Sequence, residues 1–232
     1  MTIHLFCSTL ALGLAAAPGP KEAEAPPAPK AKVAEATSLA DKVQSFYDEL
    51  EDYSSQFAQT YTRVALSRKS RSSGTIAIKK GGKVRWTYRE PAERLFVADG
   101  ETLWIYEPEE MQVIVDKRFS TEKLGGSIAF LWGEGKLSDA FTVRRLGPKE
   151  HDFGKDAAVL ELIPKHDRTY ARLVIRIDEE TGRVKESVVH ETSGNTNHFV
   201  FTEPKLNQGL ADAQFEFVAP AGVDVVLARP EL

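Results

Sequence analysis

The chain has 232 residues, 42% of them hydrophobic and 28% charged, which excludes collagen, a coiled coil and a wholly disordered polymer. Lys and Arg number 30 against 34 Asp and Glu, a net charge of -4, and without a polybasic block nucleic acid is a poor partner. The single cysteine, Cys7, excludes an intrachain disulfide framework and every multi-cysteine zinc site.

The stretch from Ile3 to Ala17 is apolar over the length of a signal-peptide core and too short to span a bilayer. Ala15-Ala16-Ala17 predicts cleavage after Ala17, so that residues 1–17 form a signal peptide; Ala23-Glu24-Ala25 is a second option. No Lys or Arg precedes the apolar run, and the competing reading is a buried helix. Cys7 lies inside the apolar core, not after it where a lipid-attachment cysteine stands, and would leave with the signal. Residues 18–37, rich in Pro, Ala, Lys and Glu, read as a flexible linker. A single folded domain is expected over 38–232.

Ser38 is the expected helix N-cap, with Asp41 three residues on. Leu39, Val43, Phe46, Tyr47, Leu50 and Tyr53 recur at spacings of three and four, which predicts an amphipathic helix of about fifteen residues. The period then becomes two. Strands are predicted at 56–66, 74–79, 83–88, 95–98, 102–106 and 112–115, with Gly81-Gly82 as one turn and Asp99-Gly100 as a two-residue hairpin. Further strands are expected at 141–143, 157–162, 173–177, 184–189 and 197–201. About ten or eleven antiparallel strands in one domain must bend into a strongly curved sheet or an incomplete barrel.

The run Ile128-Ala129-Phe130-Leu131-Trp132 interrupts this meander. It is apolar on nearly every side and bracketed by Gly125, Gly126, Gly133 and Gly135. Such a segment reads either as a plain core helix or as a movable apolar cover with glycine hinges.

Catalytic motifs are absent. The chain has no GxSxG, HExxH, P-loop or GxGxxG, and no acid–base pair stands out. His190 and His198 fall on neighbouring strands, where hydrogen-bonded or solvated histidines are commoner than a metal pair. No cofactor, metal or catalytic residue is assigned, and the chain is read as a binding protein and not an enzyme. Aromatic residues carry the signal instead. Phe57 and Tyr61, Trp86 and Tyr88, and Trp104 and Tyr106 each share one face of a strand, as a filled core or a ligand cavity requires.

Three stretches resemble one family: Ser55-Gln56-Phe57-Ala58-Gln59 with Gly74 to Lys80; Arg85-Trp86-Thr87-Tyr88 with Glu90-Pro91 and Val97 to Pro108; and the closing Ala213 to Val225. The chain resembles the LolA-type periplasmic outer-membrane lipoprotein carriers. The resemblance implies a mainly β fold: an unclosed half-barrel with a lid of short α-helices over a hydrophobic cavity. Phe57, Tyr61, Val84, Trp86, Tyr88, Phe96, Trp104 and Tyr106 would line the cavity. Leu39, Val43, Phe46 and Leu50, with Ile128, Phe130, Leu131 and Trp132, would form the lid. Where the family commonly has Arg-Pro, this chain has Lys80-Gly81, making Lys80 the lid-locking candidate without a guanidinium fork.

The resemblance further implies a monomeric shuttle in the periplasm of a Gram-negative bacterium. It would take acylated lipoproteins from an inner-membrane lipoprotein-releasing ABC transporter to the outer membrane, and to an acceptor lipoprotein where one exists. A carrier of another amphiphile, such as a glycolipid, and a half-barrel periplasmic sensor are the alternatives.

Overall fold

The computed structural model describes residues 30–119, 136–166 and 170–228. One long helix, α1 (Lys30–Asp48), precedes the strands β1 (Asp52–Arg63), β2 (Arg68–Lys79), β3 (Lys83–Glu90), β4 (Arg94–Asp99), β5 (Leu103–Glu107) and β6 (Gln112–Asp116). A short helix, Leu137–Ala140, leads into β7 (Phe141–Arg145), β8 (Ala158–Pro164), β9 (Tyr170–Ile177), β10 (Val184–Glu191), β11 (Thr196–Leu206) and β12 (Asp224–Leu227).

All twelve strands form one sheet in the order β12-β6-β5-β4-β3-β2-β1-β11-β10-β9-β8-β7. β1 joins the halves by pairing with β2 on one side and β11 on the other. Among the described residues β12 and β7 are the edges, so the sheet curves without closing. Strand twist accumulated across so many strands gives this half-barrel its bend.

The predicted strands 56–66 to 197–201 fall on β1 to β11, except that Val64–Leu66 leave β1 as a 3-10 turn, and three further features differ from expectation. First, α1 begins at Lys30, so Ser38 stands inside the helix and not at its cap. The Ala, Lys and Glu of residues 30–37, which read as tether, are also strong helix formers. Tyr53 lies in β1, and Leu50 in the link before it. Second, the Asp99-Gly100 turn is longer than two residues. The Asp99 carboxylate accepts hydrogen bonds from the backbone N–H of Glu101 (2.9 Å) and Thr102 (2.8 Å), and Gly100 takes φ +107. An Asx-type turn of this kind draws the following residues into the loop. Third, β12 was not foreseen, and it pairs parallel to β6.

Both faces of the sheet are covered. The concave face holds the main core, from Val43 of α1 through Ile76, Trp86, Leu160, Leu173 and Ile175. On the convex face, Val159 and Val174 pack with Leu146, Phe153 and Val188. The chain after β11 also crosses the convex face, where the 3-10 turn Asp212–Phe215 lies against β3 and β4. Arg85 donates to the Gln214 carbonyl (3.1 Å). Lys79 (2.5 Å) and Lys83 (2.7 Å) both pair with Asp212. Asp52 anchors the start of this crossing by accepting the N–H groups of Gln208, Gly209 and Leu210. Burial opposes its ionisation, but those three donors and Lys79 together hold its pKa below the ordinary value.

Candidate functional site

Alternation on the middle strands builds one concave aromatic wall. Val84, Trp86 and Tyr88 share the inner side of β3, and the register continues that side through Phe96 and Ala98 of β4 to Ile105 and Leu103 of β5. On β1 it carries Tyr53 and Phe57, with Phe201 and Phe199 following on β11. The Phe57 ring meets Trp86 edge-on at 5.5 Å and Tyr88 at 4.9 Å. Trp86 also lies 5.4 Å from Phe199, and Tyr88 lies 6.0 Å from Phe96. This continuous array favours the offset and edge geometries of aromatic quadrupoles.

Gly74 makes room for the array. It pairs with Phe57 on one side and Tyr88 on the other. A Cβ there would stand 1.9 Å from the Thr87 carbonyl oxygen and 2.9 Å from the Phe57 ring. The glycine therefore lets an aromatic ring lie flat over the strand.

The wall is uncharged. Burial pushes the Tyr88 phenol well above its ordinary pKa, with Arg94 only partly opposing the rise. Trp86 is 3% exposed, and its Nε1–H has no hydrogen-bond partner among the described residues. An orphaned donor of this kind costs about 1–3 kcal/mol. The wall ends in a polar rim. Gln59 donates to Asn197 (2.8 Å), and Tyr61 donates to Glu191 (3.2 Å) while accepting from Asn195 (3.2 Å).

Of the proposed lining residues, Phe57, Val84, Trp86, Tyr88 and Phe96 stand together on the concave face. Tyr61 is buried but belongs to the polar rim. Trp104 and Tyr106 are corrections, because they point to the convex side. There they pair with Val97 and Leu95 and pack against Phe217 at 6.4 and 5.7 Å. Phe199 and Phe201 were missed as wall residues, although their two-residue spacing within strand 197–201 was the available signal.

Over the concave face lies α1, with Leu39 and Val43 in the core and Phe46 packed against it, and Leu50 of the following link is buried in the same core. The helix runs along β7 and the short helix Leu137–Ala140. Gln44 accepts a hydrogen bond from Leu137 N–H (2.8 Å). The β9–β10 turn holds α1 from the other side. Tyr47 OH accepts from Val184 N–H (3.2 Å), and Lys42 Nζ donates to the Glu179 carbonyl (2.7 Å). Gly182, at φ +83, sits so close to the Lys42 carbonyl that a Cβ would fall 2.5 Å from its oxygen.

Lys80 lies at the joint between α1 and β1, where it lines a cleft with Tyr47. Its Nζ pairs with Glu51 (2.8 Å) in the link between α1 and β1, with both side chains substantially exposed. A pair of that kind contributes about 0–1 kcal/mol. Ile128, Phe130, Leu131 and Trp132, and the hinge candidates Gly125, Gly126, Gly133 and Gly135, lie outside the described residues. His198 is engaged by Glu186 (2.8 Å), and His190 sits opposite Thr196 and Arg172.

Among the described residues, two small clefts lie at the margins of the wall. One, of about 210 Å³, opens at the sheet rim between Tyr88, Pro91, Arg94 and Glu107. The other, of about 10 Å³, lies at the joint between α1 and β1. The wall side chains Phe57, Trp86, Tyr88 and Phe96 are all buried.

The family described as outer membrane lipoprotein carrier protein LolA matches residues 48–218, a span running from the end of α1 through the convex-face crossing. The chain belongs to the LolA family. An outer-membrane lipoprotein carrier protein of Chromobacterium violaceum is 32% identical over 194 residues, covering 83% of this chain and 89% of its own. A carrier of the same name from Dechloromonas aromatica is 31% identical over 188 residues, covering 80% and 86%. Among solved structures, an uncharacterised conserved protein from Thermus thermophilus superposes with a TM-score of 0.53 at 14% identity. That alignment covers 84% of this chain and 99% of the other, a likeness of fold alone. The LolA family is a carrier family and not an enzyme class.

Proposed function

We propose that this chain is a periplasmic carrier that binds the acyl chains of lipoproteins on its concave aromatic wall and keeps them soluble between membranes. Besides family membership, one observation carries the reading. A continuous, uncharged, apolar wall is buried in the same concave core into which an amphipathic helix packs, and that helix is tied to β7 and the β9–β10 turn through a few polar contacts. Each acyl methylene buried contributes about 0.8 kcal/mol, so two or three chains represent a gross gain of tens of kcal/mol. Displacing Leu39, Val43 and Leu50 from the shared concave core would offset part of that gain and keep release possible. The Trp86 indole N–H is positioned on this reading to donate to an ester carbonyl of the cargo.

The apolar run 3–17 and its small-residue end support export by a cleaved signal. Receipt from a lipoprotein-releasing ABC transporter, delivery to an outer-membrane acceptor, and work as a monomer are further parts of the proposal. The segment Ile128–Trp132 is proposed as the second part of the cover, moving on its flanking glycines. Mass spectrometry of material co-purifying with the exported chain tests the reading. An acylated amino-terminal cysteine peptide is the expected mass. A glycolipid, or no amphiphile even after expression with abundant lipoprotein, would overturn it.

A further inference from the structure

The β1–β2 hairpin carries a surface that the concave wall does not use. β2 pairs with β3 only from Ser73 onward. Arg68 to Ser72 therefore run past the end of β3, by about 17 Å at the rise of an antiparallel strand. At the apex stands one 3-10 turn, Val64–Leu66, closed by Ser67 at φ 49. Val64 is 57% exposed and Leu66 is 67% exposed. Both are aliphatic, and both are presented at the most protruding point of the hairpin.

Charge around the apex has one sign. Arg63 precedes it and Arg68, Lys69 and Arg71 follow it, the last three exposed and without an ion pair among the described residues. Residues 53–89 contain no Asp or Glu, in a chain whose net charge is -4. On the β11 side, Glu191 is engaged by Tyr61, Ser193 and Asn195; on the β3 side, glutamates enter only at the base of the overhang, where Ser72 shares a cleft with Glu90, Glu93, Glu107, Glu109 and Glu110. The turn is also held in place. Val64 N–H donates to Asn195 Oδ1 (3.1 Å), and the Arg63 guanidinium lies 5.6 Å above the Tyr61 ring.

Two solvated aliphatic side chains ringed by cations have the composition of an interfacial membrane contact. Cations alone would suit any acidic partner, but the exposed Val64 and Leu66 require an apolar medium to enter. We propose that the β1–β2 tip is a membrane-contacting finger that inserts Val64 and Leu66 into the surface of an anionic bilayer while Arg68, Lys69 and Arg71 meet the lipid headgroups. The inference is independent of cargo binding, because it concerns the empty protein.

Co-sedimentation of the empty chain with vesicles tests it. Vesicles of phosphatidylethanolamine with phosphatidylglycerol should retain the protein, and vesicles of phosphatidylcholine alone should not. Val64→Ser/Leu66→Ser should lower retention about tenfold. Arg68→Ser/Lys69→Ser/Arg71→Ser should lower it about a hundredfold at low salt, at roughly fivefold per cation. A Leu66→Trp reporter should shift its emission to the blue on binding. These side chains are exposed, so the fold survives the changes. The proposal is overturned by equal retention on both vesicle types, or by retention that neither set of substitutions reduces. Retention lost with the cations but untouched by Val64→Ser/Leu66→Ser, with no shift of the reporter, would also overturn insertion and point to an acidic protein surface.

Discussion

Gly74 shows how a single residue sets the character of the wall. Its absent side chain leaves room for Phe57 above and Thr87 beside it, and the ring array from Tyr88 to Phe199 follows from that space. Gly74→Ala should destabilise the protein by about 3 kcal/mol through overpacking. Urea unfolding measures this, and an unchanged midpoint would show that β2 shifts freely beneath the rings. Trp104 and Tyr106 teach the opposite lesson. Period two assigns them a common side, but it does not say which side is concave. That inference fails here because the convex face of β4 to β6 is also covered, by Phe215 and Phe217 of the closing segment. Aromatic alternation marks burial, and only the register across strands distinguishes the two buried faces. Phe199 and Phe201 were legible by the same alternation, but their place beside Phe57 depends on β1 pairing with β11, which local pattern does not encode.

At the scale of elements, α1 is an added piece clamped by turns. Gly182 is the tightest of these contacts. Gly182→Ala would place a methyl group against the Lys42 carbonyl at a positive φ, and it should loosen α1 while leaving the strands paired. Hydrogen exchange should then speed up in α1 but not in β8 to β10; uniform acceleration would mean that helix and sheet unfold as one unit. The same turn gives a pH dependence. Lys185 and the Thr181 N–H hold the Asp178 carboxyl at about 2, below its ordinary 3.8, although partial burial opposes them. Because the folded-state value is depressed, the stabilisation is fully present above pH 3.8 and is lost as pH falls through about 2. Asp178→Asn should remove a contribution on the order of 1 kcal/mol at neutral pH, after solvent screening. Its unfolding free energy should converge with that of the parent below pH 2; parallel curves would remove Asp178 from the account. The long alternating strands were legible because burial of one face writes period two directly into β1, β3 and the first half of β11. The start of α1 was not, because Ala, Lys and Glu serve tether and helix alike. Nor was β12, whose four residues are exposed and held only at the edge of β6.

Over the whole molecule, an open sheet bends until its inner face must be covered. The protein covers it with α1, and on the proposed function acyl chains compete with α1 for the same surface. The fold class was legible because many short alternating strands leave few ways to close one domain. The exchange of helix for lipid was not, because it depends on how weakly the cover is tied, through contacts such as Tyr47 to Val184 that join residues distant in sequence.

The most direct test of that exchange uses the two tryptophans that the sheet places on opposite faces. In one variant Trp104→Phe and Trp132→Phe leave Trp86 alone; in another Trp86→Phe and Trp132→Phe leave Trp104 alone. Each is loaded with a lipopeptide whose acyl chains are brominated along their length. The account predicts strong quenching of Trp86 emission and little change for Trp104. Bound, soluble lipopeptide that quenches Trp104 and spares Trp86 would contradict it.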